Sequence, residues 1–330
     1  MNLDFSCRET RQVEKYLRRI AVAKEVINVL PKLAHTEENL RRKSLLKSAV
    51  FSARIEGNKL TLSAIRFSQG KKEPQDTAKR EIFNILSTLH WLDSKSGPKA
   101  LSKNLILTVH KKIMNGLVAE AGYLRKEASA IFNQAGVAIY LPAPPNEVPI
   151  LIKKIIDKTN RSKEAPPVKA ALFHFAFEKI HPFLDGNGRV GRILSSFILK
   201  RGGYGFRGLV SFEEFIEENR QTYYDLLSLN KKDITPFIVF FLESLAIQAE
   251  RAIKDLTNKK EEQPEDSLLP RRREILEIIQ DHKMVSFDFI KRRFLKIPDS
   301  TLHYDLKRLL EKGFVRKIGS TRGVLYQAKR

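Results

Sequence analysis

Twelve consecutive residues, His181-Pro182-Phe183-Leu184-Asp185-Gly186-Asn187-Gly188-Arg189-Val190-Gly191-Arg192, constrain this chain more than any other segment. They join two stretches of helical periodicity. The first opens at Pro166-Pro167 and carries Val168, Leu172, Phe175 and Ile180 on one apolar face. The second runs from about residue 188 to 201. Gly186 and Gly188 lack Cβ atoms, so the N–H groups of Gly186-Asn187-Gly188 can converge on an anion. A helix starting near Gly188 adds its positive end. Arg189 and Arg192 stand at i and i+3, project from one side of the first turn, and can reach phosphate oxygens in the bidentate way arginine favours. Asp185 beside a polyphosphate is a normal Mg²⁺ arrangement, with water and phosphate completing the octahedron. His181, with an ordinary pKa near ~6.5, can take a proton from an attacking hydroxyl at neutral pH. Phe183 anchors the loop in the core. The chemistry implied is Mg²⁺-dependent phosphoryl or nucleotidyl transfer from a nucleoside triphosphate. No Walker motif is present in the sequence.

The rest of the chain reads as mainly α. Val13, Tyr16, Leu17, Ile20, Ile27 and Leu30 fall on one stripe of a helix over 9–30, ended by Pro31. Thr36 is the expected N-cap of a second helix, about 36–56, stopped by Gly57. Further helices are expected at 77–92, 101–117, 148–158, 211–229 and 233–256, with a break at Ser96-Gly97-Pro98. Ile131–Leu141 is short and apolar around Asn133-Gln134-Ala135-Gly136 and predicts a small β-hairpin. Residues 257–269 are charged, contain Pro264 and read as a linker. Helices at 271–282, 286–295 and 299–312 precede two β-like runs, 314–319 and 323–328, joined by Ser320-Thr321-Arg322, which is the winged helix-turn-helix order. The expected organisation is an N-terminal helical region at 1–95, a core at 96–256, the linker, and a winged helix-turn-helix at 270–330.

Composition narrows the class. A hydrophobic fraction of 42% supports a real core, and Cys7, the only cysteine, excludes an internal disulfide or a cysteine-cluster metal site. The most apolar run, Ile234 to Ile247, contains Glu243 and is too short to span a bilayer; Asp4, Arg8 and Glu9 interrupt any signal-peptide core. The expected location is cytoplasmic. Sixty basic against 38 acidic residues give a net charge of +22, which favours polyanionic partners. His35, His90, His110, His174, His282 and His303 show no metal-ligand spacing, and His174 reads as a core residue.

The twelve-residue segment resembles, at every defined position, the signature of the Fic family, HPFx(D/E)GNGRxxR. The resemblance extends over roughly residues 40–245 and takes in Gly122-Tyr123-Leu124-Arg125, the proline-rich stretch after the hairpin, and Asn219-Arg220-Gln221-Thr222-Tyr223-Tyr224. It implies a Fic-type helical bundle with the hairpin as a flap that aligns a target segment. It also implies transfer of AMP from ATP to a hydroxyl side chain of a target protein. On that resemblance His181 is the base and Asp185 holds Mg²⁺ against the α- and β-phosphates. Gly186, Asn187 and Gly188 form the anion hole. Arg189 and Arg192 bind the distal phosphates, Arg192 the γ-phosphate. Tyr223, Tyr224 and Asn230 lie near the adenine. Gly188 points to the AMP-transferring branch, since kinase-type relatives carry lysine there.

Ser52-Ala53-Arg54-Ile55-Glu56-Gly57 resembles the family's inhibitory motif, (S/T)xxxE(G/N). Glu56, near the C-terminal end of its helix, sits unfavourably against the helix dipole and would pair with Arg192, denying that guanidinium to the γ-phosphate. ATP would then bind with its α-phosphate misaligned, and a displacement of ~1 Å can cost ~10²-fold in rate. Two other readings stand beside this one: removal of AMP from a modified target with the help of Glu56, and a DNA-binding regulator whose Fic domain senses ATP. The intact His181 argues against a pure sensor. In the C-terminal module Leu302, Leu306, Leu309 and Leu310 supply the core side of a recognition helix, and Ser300, Thr301, His303, Tyr304 and Lys307 its exposed side. Arg316, Lys317, Arg322 and Lys329 charge the wing, and residues 271–330 hold 16 basic against seven acidic residues. The expected partners are ATP, an unidentified target protein that includes the chain itself, DNA through residues 270–330, and a second copy in a homo-oligomer.

Overall fold

The computed structural model describes residues 3–31, 34–66, 76–94, 97–132, 138–257, 268–282, 284–294, 297–319 and 323–329. The chain divides into two compact units. The first contains residues 41–66 and 76–256 together with the N-terminal segment to Pro31; the second takes in residues 34–40 and 268–329. Helices before residue 96 thus share one core with those after it.

Two helices, α7 (Pro166–Ile180) and α8 (Asn187–Arg201), form the centre of the first unit. Proline at the start of α7 suits a position with no intrahelical N–H partner. Nearly every side chain of α7 is buried, as a helix enclosed on all sides requires. Around the pair stand α4 (Thr77–Asp93), α5 (Lys103–Ile113), α6 (Val148–Arg161) and α11 (Thr235–Thr257). Asp76 caps α4 and Ser102 caps α5. In α6, Val148, Leu151, Ile152, Ile155 and Ile156 make the inward stripe. Tyr16 and Arg19 of α1 (Arg11–Val29) reach Glu243 and Glu250 of α11, each at 2.7 Å.

Several boundaries differ from expectation. α2 spans Ala34–Ile55, so Thr36 stands inside it rather than capping it. A short α3 (Leu62–Arg66) was not predicted. α5 ends at Ile113, because Gly116 turns the chain at φ 67°. The single helix expected at 211–229 is two, α9 (Phe212–Glu218) and α10 (Arg220–Leu227). Asn219 leaves helical geometry between them (φ −122°, ψ 36°) while its side-chain amide donates to the Phe215 carbonyl at 2.9 Å. The hairpin is present as antiparallel β1 (Ile131–Phe132) and β2 (Ala138–Tyr140); its Asn133–Gly136 turn lies outside the described residues.

The second unit contains α12 (Pro270–Asp281), β3 (Val285–Ser286), α13 (Phe287–Lys291), α14 (Asp299–Glu311), β4 (Val315–Ile318) and β5 (Leu325–Ala328). The strands order β3-β5-β4, all antiparallel, so the expected hairpin gains a third strand before α13. α13 is shorter than expected. Ile275, Ile279, Val285, Ile290, Leu302, Leu306, Leu309 and Val315 form a separate apolar core. Asp305 of α14 is fully buried and accepts from Arg271 and Arg272 of α12, which clasp the two helices. Most of the linker (258–267) and the Ser320–Arg322 turn lie outside the described residues. Among the described residues no helix is long and apolar enough to cross a membrane.

Candidate active site

The site lies at the α7–α8 junction. His181 follows α7 as its C-cap in the left-handed conformation (φ 50°, ψ 61°). Burial pushes its imidazole down to about 4, so it is unprotonated at pH 7. Phe183 is fully buried and stacks on His110 at 3.7 Å with 1° between the planes. Asn187, at the start of α8, closes the loop from inside: its Oδ1 accepts from the Phe183 N–H and its Nδ2 donates to the Phe183 carbonyl, both at 2.9 Å. The expectation for Asn187 concerns its main-chain N–H; its side chain shapes the cradle by holding the loop shut.

Gly186 takes φ 83°, and a Cβ there would lie 2.7 Å from the Met114 sulfur, so both conformation and space demand glycine. Asp185 beside it is 57% exposed, and its Oδ1 accepts from Arg189 Nη2 at 2.7 Å. One exposed carboxylate at an anion cradle, with phosphate and water completing the shell, suits Mg²⁺, so the residues fit the ion.

The arginines part company. Arg189 turns to α4, where Glu81 Oε1 accepts from Nη1 at 2.6 Å, and to Asp185. Arg192 turns to α2. Its Nε donates to Ser52 Oγ at 3.0 Å, and its Nη2 donates to the Ser52 carbonyl at 2.9 Å and to Glu56 Oε1 at 2.8 Å. The expectation that both project together is corrected: α4 and α2 flank α8 on different sides, and i, i+3 side chains are far enough apart in angle to follow each. Arg192 is fully buried, and among the described residues its Nη1 has no partner. A buried, orphaned guanidinium N–H beside Gly188 is a donor awaiting an anion. Burial opposes the Arg192 charge, but Glu56 together with Tyr223 and Tyr224 more than offsets this and holds the group charged.

Glu56 stands one residue past the end of α2, with its carboxylate against the first turn of α8: a Cβ on Gly188 would lie 2.2 Å from Glu56 Oε1. Ser52, Glu56 and Arg192 therefore meet as expected. Tyr224 reaches α2 rather than open space; its hydroxyl donates to the Ile55 carbonyl at 3.0 Å. Tyr223 is 1% exposed and pairs with His174 Nε2 at 2.8 Å, so it belongs to the core behind the site, which corrects its expected place near the adenine. Asn230 is exposed in the loop after α10.

Three supporting residues escaped sequence reasoning. Glu81 holds Arg189. His110 Nδ1 accepts from the Gly122 N–H at 2.8 Å, which leaves Nε2–H to donate to the Asp185 carbonyl at 3.0 Å. Arg125, in the quoted Gly122–Arg125 segment, donates to the His181 carbonyl at 2.7 Å. Only the last carried a sequence signal, its place in that segment.

The Fic/DOC family profile matches residues 100–199, which include α5, the hairpin, α7 and the whole cradle. A probable protein adenylyltransferase of Aquifex aeolicus is 35% identical over 45% of this chain and 46% of its own length. A protein adenylyltransferase Fic of Drosophila mojavensis is 29% identical over 68% of this chain and 45% of its own. The chain thus spans about half the length of the curated relatives it matches. A Fic family protein from Desulfovibrio desulfuricans shares the fold at a TM-score of 0.66 and 22% identity, over 98% of this chain and 97% of that one. Fic-1 from C. elegans does so at 0.62 and 23%, over 75% and 74%. Residues 100–199 of this chain are a Fic/DOC family domain.

Proposed function

We propose that the chain transfers AMP from ATP to a hydroxyl side chain of a protein, and that Glu56 holds this activity down. The observation that carries the reading is the Glu56–Arg192 ion pair at 2.8 Å, set against the first turn of α8 next to Gly188. The relatives named adenylyltransferase support the chemistry. In this reading the neutral His181 imidazole takes the proton of the target hydroxyl. The freed oxygen forms a bond to the α-phosphorus, and the bond to the β-phosphate oxygen breaks, releasing pyrophosphate. The N–H groups at Gly186–Gly188 and the positive end of α8 stabilise charge on the phosphates. Arg192 Nη1, without a partner among the described residues, is the donor for the terminal phosphate once Glu56 withdraws. Asp185 would hold Mg²⁺, which neutralises phosphate charge when bound.

Intact-protein mass spectrometry after incubation with Mg²⁺ and ATP tests this. Glu56→Gly gains AMP units, wild type gains few, and His181→Ala gains none. Equal labelling of wild type and Glu56→Gly would overturn the inhibitory role. AMP removal from a pre-modified protein, lost in Glu56→Gly, would favour the hydrolytic reading instead.

A second reading concerns the C-terminal unit. The exposed residues His303, Tyr304, Lys307 and Arg308 on α14, with Arg316 and Lys317 on β4, favour a winged helix that contacts nucleic acid phosphates.

A further inference from the structure

We propose that Arg125 is a positioning residue for His181: its guanidinium locks the left-handed backbone that presents the imidazole and ties it to the base of the hairpin flap. His181, Phe206 and Arg207 are the non-glycine residues with positive φ among those described. Such a conformation is strained for a residue with a side chain and persists only where the surroundings over-determine it. Arg125 is the group that does so. It is 4% exposed, yet among the described residues its guanidinium partners are all main-chain carbonyls. Nε donates to His181 O at 2.7 Å and Nη2 to Ile180 O at 3.4 Å, both at the negative end of α7. Nη1 donates to Glu127 O at 2.9 Å, and Nη2 also donates to Ala143 O, three residues beyond β2. The Arg125 main-chain N–H donates to Pro182 O at 2.9 Å.

One planar fork therefore gathers the end of α7, the turn at 125–127 and the strand exit at Ala143. A lysine ammonium cannot span these directions at fixed geometry. The arrangement couples two things the proposed reaction must align: the base, and the flap that would seat a target segment. It also sets the electrostatics. Beyond burial, Arg125 opposes protonation of His181, while Glu56 and Asp185 favour it.

The kinetic consequence rests on AMP transfer through His181; the ring titration does not. The full-length chain carrying Glu56→Gly is compared with the same chain carrying Arg125→Lys or Arg125→Gln. The readouts are kcat, KM for ATP, Tm, and the His181 imidazole titration by ¹H–¹⁵N NMR, assigned with His181→Ala. Both variants are expected to lose about 10²-fold in kcat with KM for ATP nearly unchanged. The His181 midpoint is expected to rise in Arg125→Gln. The lysine variant keeps the buried charge and guards against a folding defect. Full kcat in Arg125→Lys would overturn the proposal. So would kcat, KM and Tm failing together in both variants, the mark of a purely structural residue. If the Glu56→Gly chain with Arg125 intact transfers no AMP, the functional reading fails. The positioning role is then decided by the titration alone, and an unmoved His181 midpoint in Arg125→Gln overturns it.

Discussion

Individual side chains in the first unit do their work in unusual protonation states because burial dictates them. His110 and His174 are 2% and 0% exposed, and burial pushes them to about 4 and about 3 from the ordinary 6.5. Each is neutral in the fold and would bind a proton in the unfolded chain. Depressed folded values mean that their stabilising contribution is fully present above pH 6.5 and is lost as pH falls toward 4. Each group contributes at most about 1.4 kcal/mol per pH unit. His110, His174 and His181 together pull Tm down between pH 6.5 and 4. The buried Glu178 and Glu213 carboxyls, raised by burial, pull it up over the same range, so a net but moderate fall is expected. Scanning calorimetry across that range checks this, and a flat Tm would contradict it. His110 was legible as a residue but not as a part of the site. Its role depends on Gly122 and Asp185, 12 and 75 positions away, arriving at its two nitrogens.

At the scale of elements, α2 is held onto the bundle by polar contacts along α9 and α10. Lys47 pairs with Glu214 at 2.8 Å, Ser48 Oγ donates to Glu213 at 2.9 Å, and Arg54 pairs with Glu217 at 3.1 Å. At the end of the helix, the Arg220 guanidinium and the Tyr224 hydroxyl donate to the Arg54 and Ile55 carbonyls. These bonds satisfy carbonyls that a helix terminus leaves open. They also set how firmly Glu56 stays on Arg192. Tyr224→Phe removes one bond, about 1 kcal/mol, which multiplies the released population by about fivefold. AMP incorporation in the Glu56-intact chain is expected to rise by up to that factor, and in the Glu56→Gly background not to change. A loss of activity in that background would mean that the tyrosine serves the nucleotide. The split of α9 from α10 was not legible, because Asn219 breaks the helix through its own side-chain bond rather than through a glycine or proline.

At the scale of the whole molecule, the chain forms two compact units, and the second has an apolar core of its own. The first unit buries the Arg189–Glu81 and Arg192–Glu56 pairs, whereas α14 and β4 of the second unit leave basic residues exposed. If that surface meets phosphates, duplex DNA binding should weaken steeply with salt. The slope of log K against log salt would be about −0.9 per phosphate neutralised. Fluorescence anisotropy with a labelled duplex measures it. Replacing Lys307 and Lys317 together should reduce the slope by about two while AMP transfer is unaltered. Salt-independent binding, or none, would assign the unit to a protein partner.

The sequence by itself determined the helical architecture, a separate C-terminal unit and the place of the glycine-asparagine-glycine turn, whereas the boundary expected at residue 95 is absent from the compact units. The three are written in local terms: apolar spacing along a helix, a charged stretch between cores, and a glycine-asparagine-glycine turn before a helix start. It also placed Ser52, Glu56 and Arg192 in one cluster through the resemblance of two short motifs. Only the tertiary structure decided which way each side chain turns. Arg189 and Arg192 separate because different helices flank α8. Tyr223 goes inward and Tyr224 toward α2, because adjacent helical residues diverge by about 100°. Arg125 reaches His181 because three distant segments end within the span of one guanidinium. Direction and convergence of this kind depend on how elements pack, and no spacing along the chain encodes them.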